Sequence, residues 1–194
     1  MSNLRIFATV IFTTVLFVSC SNDEDIISAP AKPEPINEEE VITTMTVTLV
    51  PDGGGTAVVL FFRDLDGFGP DAPYVDVSGS LVAGVTYNGS IELLNETEDP
   101  AEDITEEVEE KGLEHQVFYT VSSSLEVSTE YINFDSEGGP LGTKFTLTAD
   151  AKSNGKLTFT LRHKPNKNPE NDMDAAGGAT DIDATFDIEV IEEK

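Results

Sequence analysis

The chain has 194 residues, one cysteine, no tryptophan and a formal net charge of −26, set by 37 acidic against 11 basic side chains. That length makes about one ordinary domain, large enough to bury a core without disulfide help, and a lone cysteine excludes an intramolecular bridge. The charge repels a phosphate backbone, which excludes nucleic acid as a partner, and keeps the chain soluble.

Residues 1–19 open with a polar stretch carrying Arg5, continue as the apolar run Ile6–Val18 and end in Ser19, directly before Cys20. This is the charged, apolar and small-residue pattern of a secretory signal peptide. The run of about 13 residues is too short for a permanent span, which needs roughly 20. Ser19-Cys20 resembles the lipobox of bacterial lipoproteins, with Phe17 where that family usually has Leu. The resemblance implies that Cys20 becomes the mature N-terminus and carries the lipid that anchors the chain to a membrane, since two or more acyl chains hold a protein stably. Ser21-Asn22-Asp23-Glu24-Asp25 resembles the acidic export tag of Bacteroidetes lipoproteins. It implies the cell surface of the outer membrane, with the periplasmic face as the alternative. From there to Glu40, Pro30, Pro33, Pro35 and a run of acids oppose packing. Residues 20–40 are therefore read as lipid anchor and disordered tether, and 41–194 as the folded domain.

From Val41 onward the dominant period is two. Met45–Leu49 alternates, Asp52-Gly53-Gly54-Gly55 supplies a turn, and Ala57–Phe62 is continuously apolar, so these runs predict a hairpin. Tyr74–Val77, Tyr87–Leu94, Gln116–Val121, Leu125–Phe134, Lys144–Ala149, Leu157–Leu161 and Ile182–Val190 are further strands, parted by turns such as Ser153-Asn154-Gly155. Asp99-Pro100-Ala101-Glu102 carries the signature of a helix start, Gly112 that of a stop, and Ile104 and Val108 share one face of the short surface helix between them. The pattern is that of an all-β sandwich of about eight or nine strands with one short helix. Leu81-Val82-Ala83-Gly84-Val85-Thr86-Tyr87 resembles the tyrosine corner of fibronectin type III domains, although Ala83 stands where that family prefers Pro. It implies an immunoglobulin-like or fibronectin-like sandwich in which Tyr87 hydrogen-bonds back toward Leu81.

Two groups of residues could bind metal. Asp64, Asp66 and Asp71 lie in a glycine-bearing loop that could gather carboxylates around calcium, but no glutamate closes the loop as an EF-hand requires, and an Asx turn uses the same residues. His115 shares the parity of Val117, Tyr119 and Val121, and His163 that of Leu157, Phe159 and Leu161; both histidines sit at strand ends. If those ends meet, two imidazoles with Glu114, or with an acid from Asp172, Asp174 or Asp181, would suit zinc or copper. Two buried histidines satisfied by ordinary partners are the competing reading. No Gly-x-Ser-x-Gly elbow and no phosphate-cradling Gly-Lys-Ser/Thr loop is present, so the chain reads as no enzyme.

Pro51-Asp52-Gly53-Gly54-Gly55-Thr56, Arg63-Asp64-Leu65-Asp66-Gly67, the run Ala101–Glu110 and Glu114-His115-Gln116 together resemble a group of small, uncharacterised Bacteroidetes surface lipoproteins. Some members carry the label of a type 1 periplasmic binding fold. That doubly wound architecture needs alternating strands and helices, which this chain lacks. The expected function is a non-catalytic binding module, a metal or small-nutrient accessory of an outer-membrane transporter or another surface protein. The alternative is a structural or adhesive sandwich whose acidic loops are stiffened by calcium or serve solvation alone. Cys20→Ser should lose the lipid mass and leave the membrane fraction, and protease added to intact cells should digest the wild type. An unmodified thiol at Cys20 in the mature protein would contradict the anchor.

Overall fold

The computed structural model describes residues 40–67, 69–167 and 172–193; the signal segment, Cys20 and the tether as far as residue 39 lie outside them. Every element below lies in the compact unit Glu38–Lys194. In chain order these are β1 (Thr44–Pro51), β2 (Val58–Arg63), β3 (Tyr74–Val77), β4 (Leu81–Val82), β5 (Thr86–Asn95), β6 (Glu102–Asp103), α1 (Ile104–Glu110), a 3-10 turn over Gly112–Glu114, β7 (His115–Val121), β8 (Val127–Tyr131), β9 (Lys144–Ala149), β10 (Ser153–His163), α2 (Met173–Ala176) and β11 (Ala179–Ile191).

The strands form two sheets, one ordered β3-β2-β1-β5-β9-β8 with β6 on the end of β5, the other β4-β11-β10-β7. Pairing is antiparallel except for β4, which runs parallel to the end of β11. The fold is the all-β sandwich expected, with eleven strands rather than eight or nine because the two-residue β4 and β6 add to the longer runs. Strands too short to show alternation leave no trace in a hydrophobic pattern.

Side chains one residue apart on a strand point to opposite faces, so each alternating run contributes one apolar row to the interior. Met45, Val47 and Leu49 of β1 and Phe145 and Leu147 of β9 face Leu157, Phe159 and Leu161 of β10 and Ala184, Phe186 and Ile188 of β11, all buried in one cluster. Aromatic rings run through its centre: Tyr119–Phe145 at 4.8 Å, Phe145–Phe159 at 5.6 Å and Phe159–Phe186 at 6.0 Å between centroids. Gly89 makes room for this stack, since a Cβ there would stand 2.4 Å from Phe145 Cζ. At the corner of the sandwich the Val82 N–H donates to the Tyr87 hydroxyl at 2.8 Å, the hydrogen bond the Leu81–Tyr87 segment led us to expect.

The helix departs from expectation at its start. Asp103, not Asp99, is the N-cap, its carboxylate accepting from Thr105 N–H at 2.9 Å. Glu102 and Asp103 are already committed to the ladder with Asn95 and Leu94, so the chain cannot wind until Ile104. Ile104 and Val108 are buried as their spacing requires. A second helix, α2, went unforeseen; Asp172 caps it, accepting from Ala175 N–H at 3.1 Å.

β1 starts at Thr44 and ends at Pro51, and β11 runs from Ala179 to Ile191. Beyond the far end of both lies an open groove of about 1040 Å³, floored by Pro51–Val58 and walled by Ser78–Ser80, Tyr87 and Glu193. The opposite end gathers the segment before β1, the start of β7, the end of β10 and the start of β11.

Two phenols give the core a signature in alkali. Burial raises the Tyr119 hydroxyl well above its usual range and pushes Tyr131 up to about 12. Tyr119 donates to the Gly142 carbonyl at 2.6 Å and Tyr131 to the Val117 carbonyl at 2.9 Å. A raised phenol stabilises the fold fully below roughly pH 10, where the unfolded tyrosine titrates. That contribution is lost as pH climbs through the folded value of about 12. Denaturation midpoints should therefore fall across this window, with a shallower fall in Tyr131→Phe. A phenolate absorbance in which all four tyrosines titrate together near the ordinary value would contradict the burial.

Candidate metal centre

β7 and β10 pair antiparallel in a register that sets His163 directly opposite His115. The shared parity of the two histidines with their strands' apolar residues thus brings both imidazoles inward at one end of the sandwich, 4.8 Å apart between centroids. Neither residue is more than 3% exposed.

The third donor comes from a break in the ladder. β10 and β11 pair Leu161 with Ile182 but Arg162 with Thr180, leaving Asp181 as the extra residue of a bulge. By alternation from Ile182, Ala184 and Phe186, Asp181 belongs on the outer face. A bulge rotates the side chain it carries. Here the Asp181 carboxylate is fully buried, with Oδ2 3.8 Å from His115 Nε2 and 3.9 Å from His163 Nδ1.

Glu40 supplies the fourth. Its Oε2 lies 3.4 Å from His115 Nε2 and 3.3 Å from His163 Nδ1. Its other oxygen, Oε1, accepts from Lys111 Nζ at 3.2 Å, which leaves Oε2 aimed at the imidazoles. The four donor atoms all lie within 4.8 Å of one another. Bonds of about 2.0–2.1 Å from a central ion imply tetrahedral edges of about 3.3–3.4 Å. Glu40 already stands at that spacing from both rings, and Asp181 needs to close by roughly half an ångström to reach it.

The surrounding contacts prepare the rings for this role. His115 Nδ1 lies 3.2 Å from the Lys111 carbonyl. A carbonyl can only accept, and with the ring proton on Nδ1 the Nε2 lone pair is the one left for a metal. On His163 the nitrogen away from the cluster, Nε2, faces Glu114 Oε2 at 3.4 Å. That nitrogen makes no hydrogen bond to Glu114, which stands there as a charged neighbour. Lys111 serves twice, its carbonyl fixing His115 and its ammonium fixing Glu40, and its own place is set by the N–H bond to the Glu107 carbonyl at the end of α1. Gly178 brings the chain back beside His163 with φ of +79°, where a Cβ would meet the His163 carbonyl at 2.4 Å.

Protonation follows. Burial drives the His115 pKa down against the pull of Glu40, so the ring is held neutral. Burial alone would raise the Glu40 carboxyl, but the Lys111 hydrogen bond and the nearby His115 outweigh it and hold it below the usual carboxylate range. Neutral imidazole and ionised carboxylate are the forms that bind metal. A dication would complete the cluster.

Of the acids weighed from sequence, Asp181 joins the group that could hold a metal, Glu114 stands on the outer nitrogen of His163, Asp172 caps α2 and Asp174 is exposed. Glu40 was missed because it ends the run Glu38-Glu39-Glu40, which composition alone assigns to the solvated tether. Asp64, Asp66 and Asp71 do not assemble into such a group. Asp64 Oδ1 accepts from Asp66 and Gly67 N–H at 3.3 and 3.0 Å, and Asp66 Oδ2 accepts from Asp71 N–H at 3.2 Å. Those carboxylates shape the turn.

No protein family, curated protein or solved structure matches this chain.

Since Lys111 orients Glu40 without belonging to the cluster, Lys111→Ala should weaken metal affinity about 10–100-fold, and Glu114→Ala, which removes no hydrogen bond to His163, should weaken it less. Asp64→Ala should leave it unchanged. Equal effects of all three, read by competition with a chelating dye, would contradict the assignment.

Proposed function

We propose that the chain is a lipid-anchored, non-catalytic envelope module whose β-sandwich holds one zinc ion between Glu40, His115, His163 and Asp181. The observation that carries this reading is the convergence of two imidazoles and two carboxylates at a common buried point. Two nitrogen donors disfavour calcium and magnesium, which take oxygen, and the absence of thiolate or thioether from the set disfavours copper(I). The two carboxylates balance a dication charge for charge. Four protein donors fill a tetrahedron and leave no position for an activated water, as in structural rather than catalytic zinc sites. The ion therefore serves structure and is not a reagent.

The anchor reading rests on Cys20 immediately after Ile6–Val18 and Ser19. In this reading the acidic domain stands on the outer membrane, at the cell surface, and works beside other envelope proteins, an outer-membrane transporter among them.

Elemental analysis of the protein purified from its native envelope should find about one zinc per chain. Saturation at about 1,000 times Kd should add about 4 kcal/mol of stability, a rise in Tm on the order of 10 °C. The double variant His115→Ala/His163→Ala should lose both. Wild-type zinc affinity no better than that of the double variant would overturn the proposal, and stoichiometric copper in place of zinc would overturn the choice of metal.

A further inference from the structure

The four donors are not held alike. His115, His163 and Asp181 belong to β7, β10 and β11, neighbouring strands of one sheet, and their main chains are fixed by its ladders. Glu40 precedes β1, and the first main-chain bond after it is Thr43 N–H to the Leu94 carbonyl at 2.9 Å. Val41 between them is 57% exposed, and Ile42 is the first residue to pack against the core. The position of Glu40 therefore depends on its side chain, which meets the two histidines and Lys111. Lys111 is itself half exposed and shared with Glu107.

We infer that the metal clamps the point where the tether joins the domain: Glu40 is the removable fourth ligand of a three-donor platform, and metal occupancy decides whether Glu40 is fastened to the second sheet. The inference rests on the metal reading above and adds a role to it. With a dication in place, Glu40 Oε2 completes the tetrahedron and the chain is pinned at residue 40. With the ion gone, Glu40 keeps only its side-chain contacts with the two rings and with the half-exposed Lys111. Asp181 cannot leave, because the bulge between two paired segments holds it. Glu40 can, by rotation about Val41, and its carboxylate then gains water. The clamp thus couples metal in the surroundings to the stiffness of the connection between domain and membrane.

The test uses the mature chain with the tether attached, with zinc or with a chelator. Amide exchange at residues 40–43 and cleavage by a glutamate-specific protease at Glu38–Glu40 should each slow on the order of tenfold when zinc is added. Amides in the centres of β5 and β10 should change far less. Glu40→Gln keeps the side chain's shape and removes its charge. It should still bind zinc through His115, His163 and Asp181, more weakly, while losing the zinc-dependent protection at 40–43. Zinc bound by the wild type with no change in exchange or cleavage there would overturn the clamp and leave the metal centre standing. Failure of the wild type to bind zinc would overturn both.

Discussion

Two carboxylates and two imidazoles share one buried point in this molecule, and burying ionised groups is costly unless an opposite charge lies among them. Much of one end of the sandwich is organised around that constraint. The β7–β10 register sets the histidines opposite each other, the bulge in β11 turns Asp181 inward, and Lys111 orients both His115 and Glu40. A second lysine, Lys167, braces the surroundings: its ammonium donates to the carbonyls of His115 and Pro140 and pairs with Asp135. Removing any one donor leaves the others facing one another, which is why the cluster is better understood as a single electrostatic unit than as four contacts.

The sandwich makes such a unit tolerable. Its interior is apolar and continuous between the sheets, from Met45 and Val47 through Phe145 and Phe159 to Phe186 and Ile188. Burial on this scale stabilises a domain enough to carry a local electrostatic cost. The cost is also confined to strand ends, where a donor can be turned inward without interrupting the aromatic stack. Opposite the metal centre, the glycine-bearing turn between β1 and β2 borders an open groove. The chain enters the domain at the metal end, so the groove is the end farther along the sandwich from that entry.

Much of the fold was legible because period-two alternation reports directly on a sheet with one face buried. β9 falls on the residues its pattern marks, and the alternating runs Leu157–Leu161 and Ile182–Val190 lie within β10 and β11. The same parity placed His115 and His163 on the inner face. Other features were invisible for physical reasons. The start of α1 was misplaced because a good capping sequence at Asp99-Pro100 is overridden by the pairing of Glu102 and Asp103 with β5, a tertiary effect. Asp181 was only one of four acids considered, since a bulge is a property of two strands together and not of one sequence window. Glu40 carried no signal at all: an acid among acids, it joins the cluster only because the first strand lies in the sheet facing the histidines and begins at their end of the sandwich.

The most direct measurement of the central claim is the ligand-field spectrum of the cobalt(II)-loaded protein. Cobalt in a four-coordinate site of two nitrogens and two oxygens gives intense visible bands, and the account predicts such a spectrum, lost when His115, His163 or Asp181 is replaced by alanine. The weak, pale spectrum of six-coordinate cobalt, or one indifferent to those three substitutions, would contradict it.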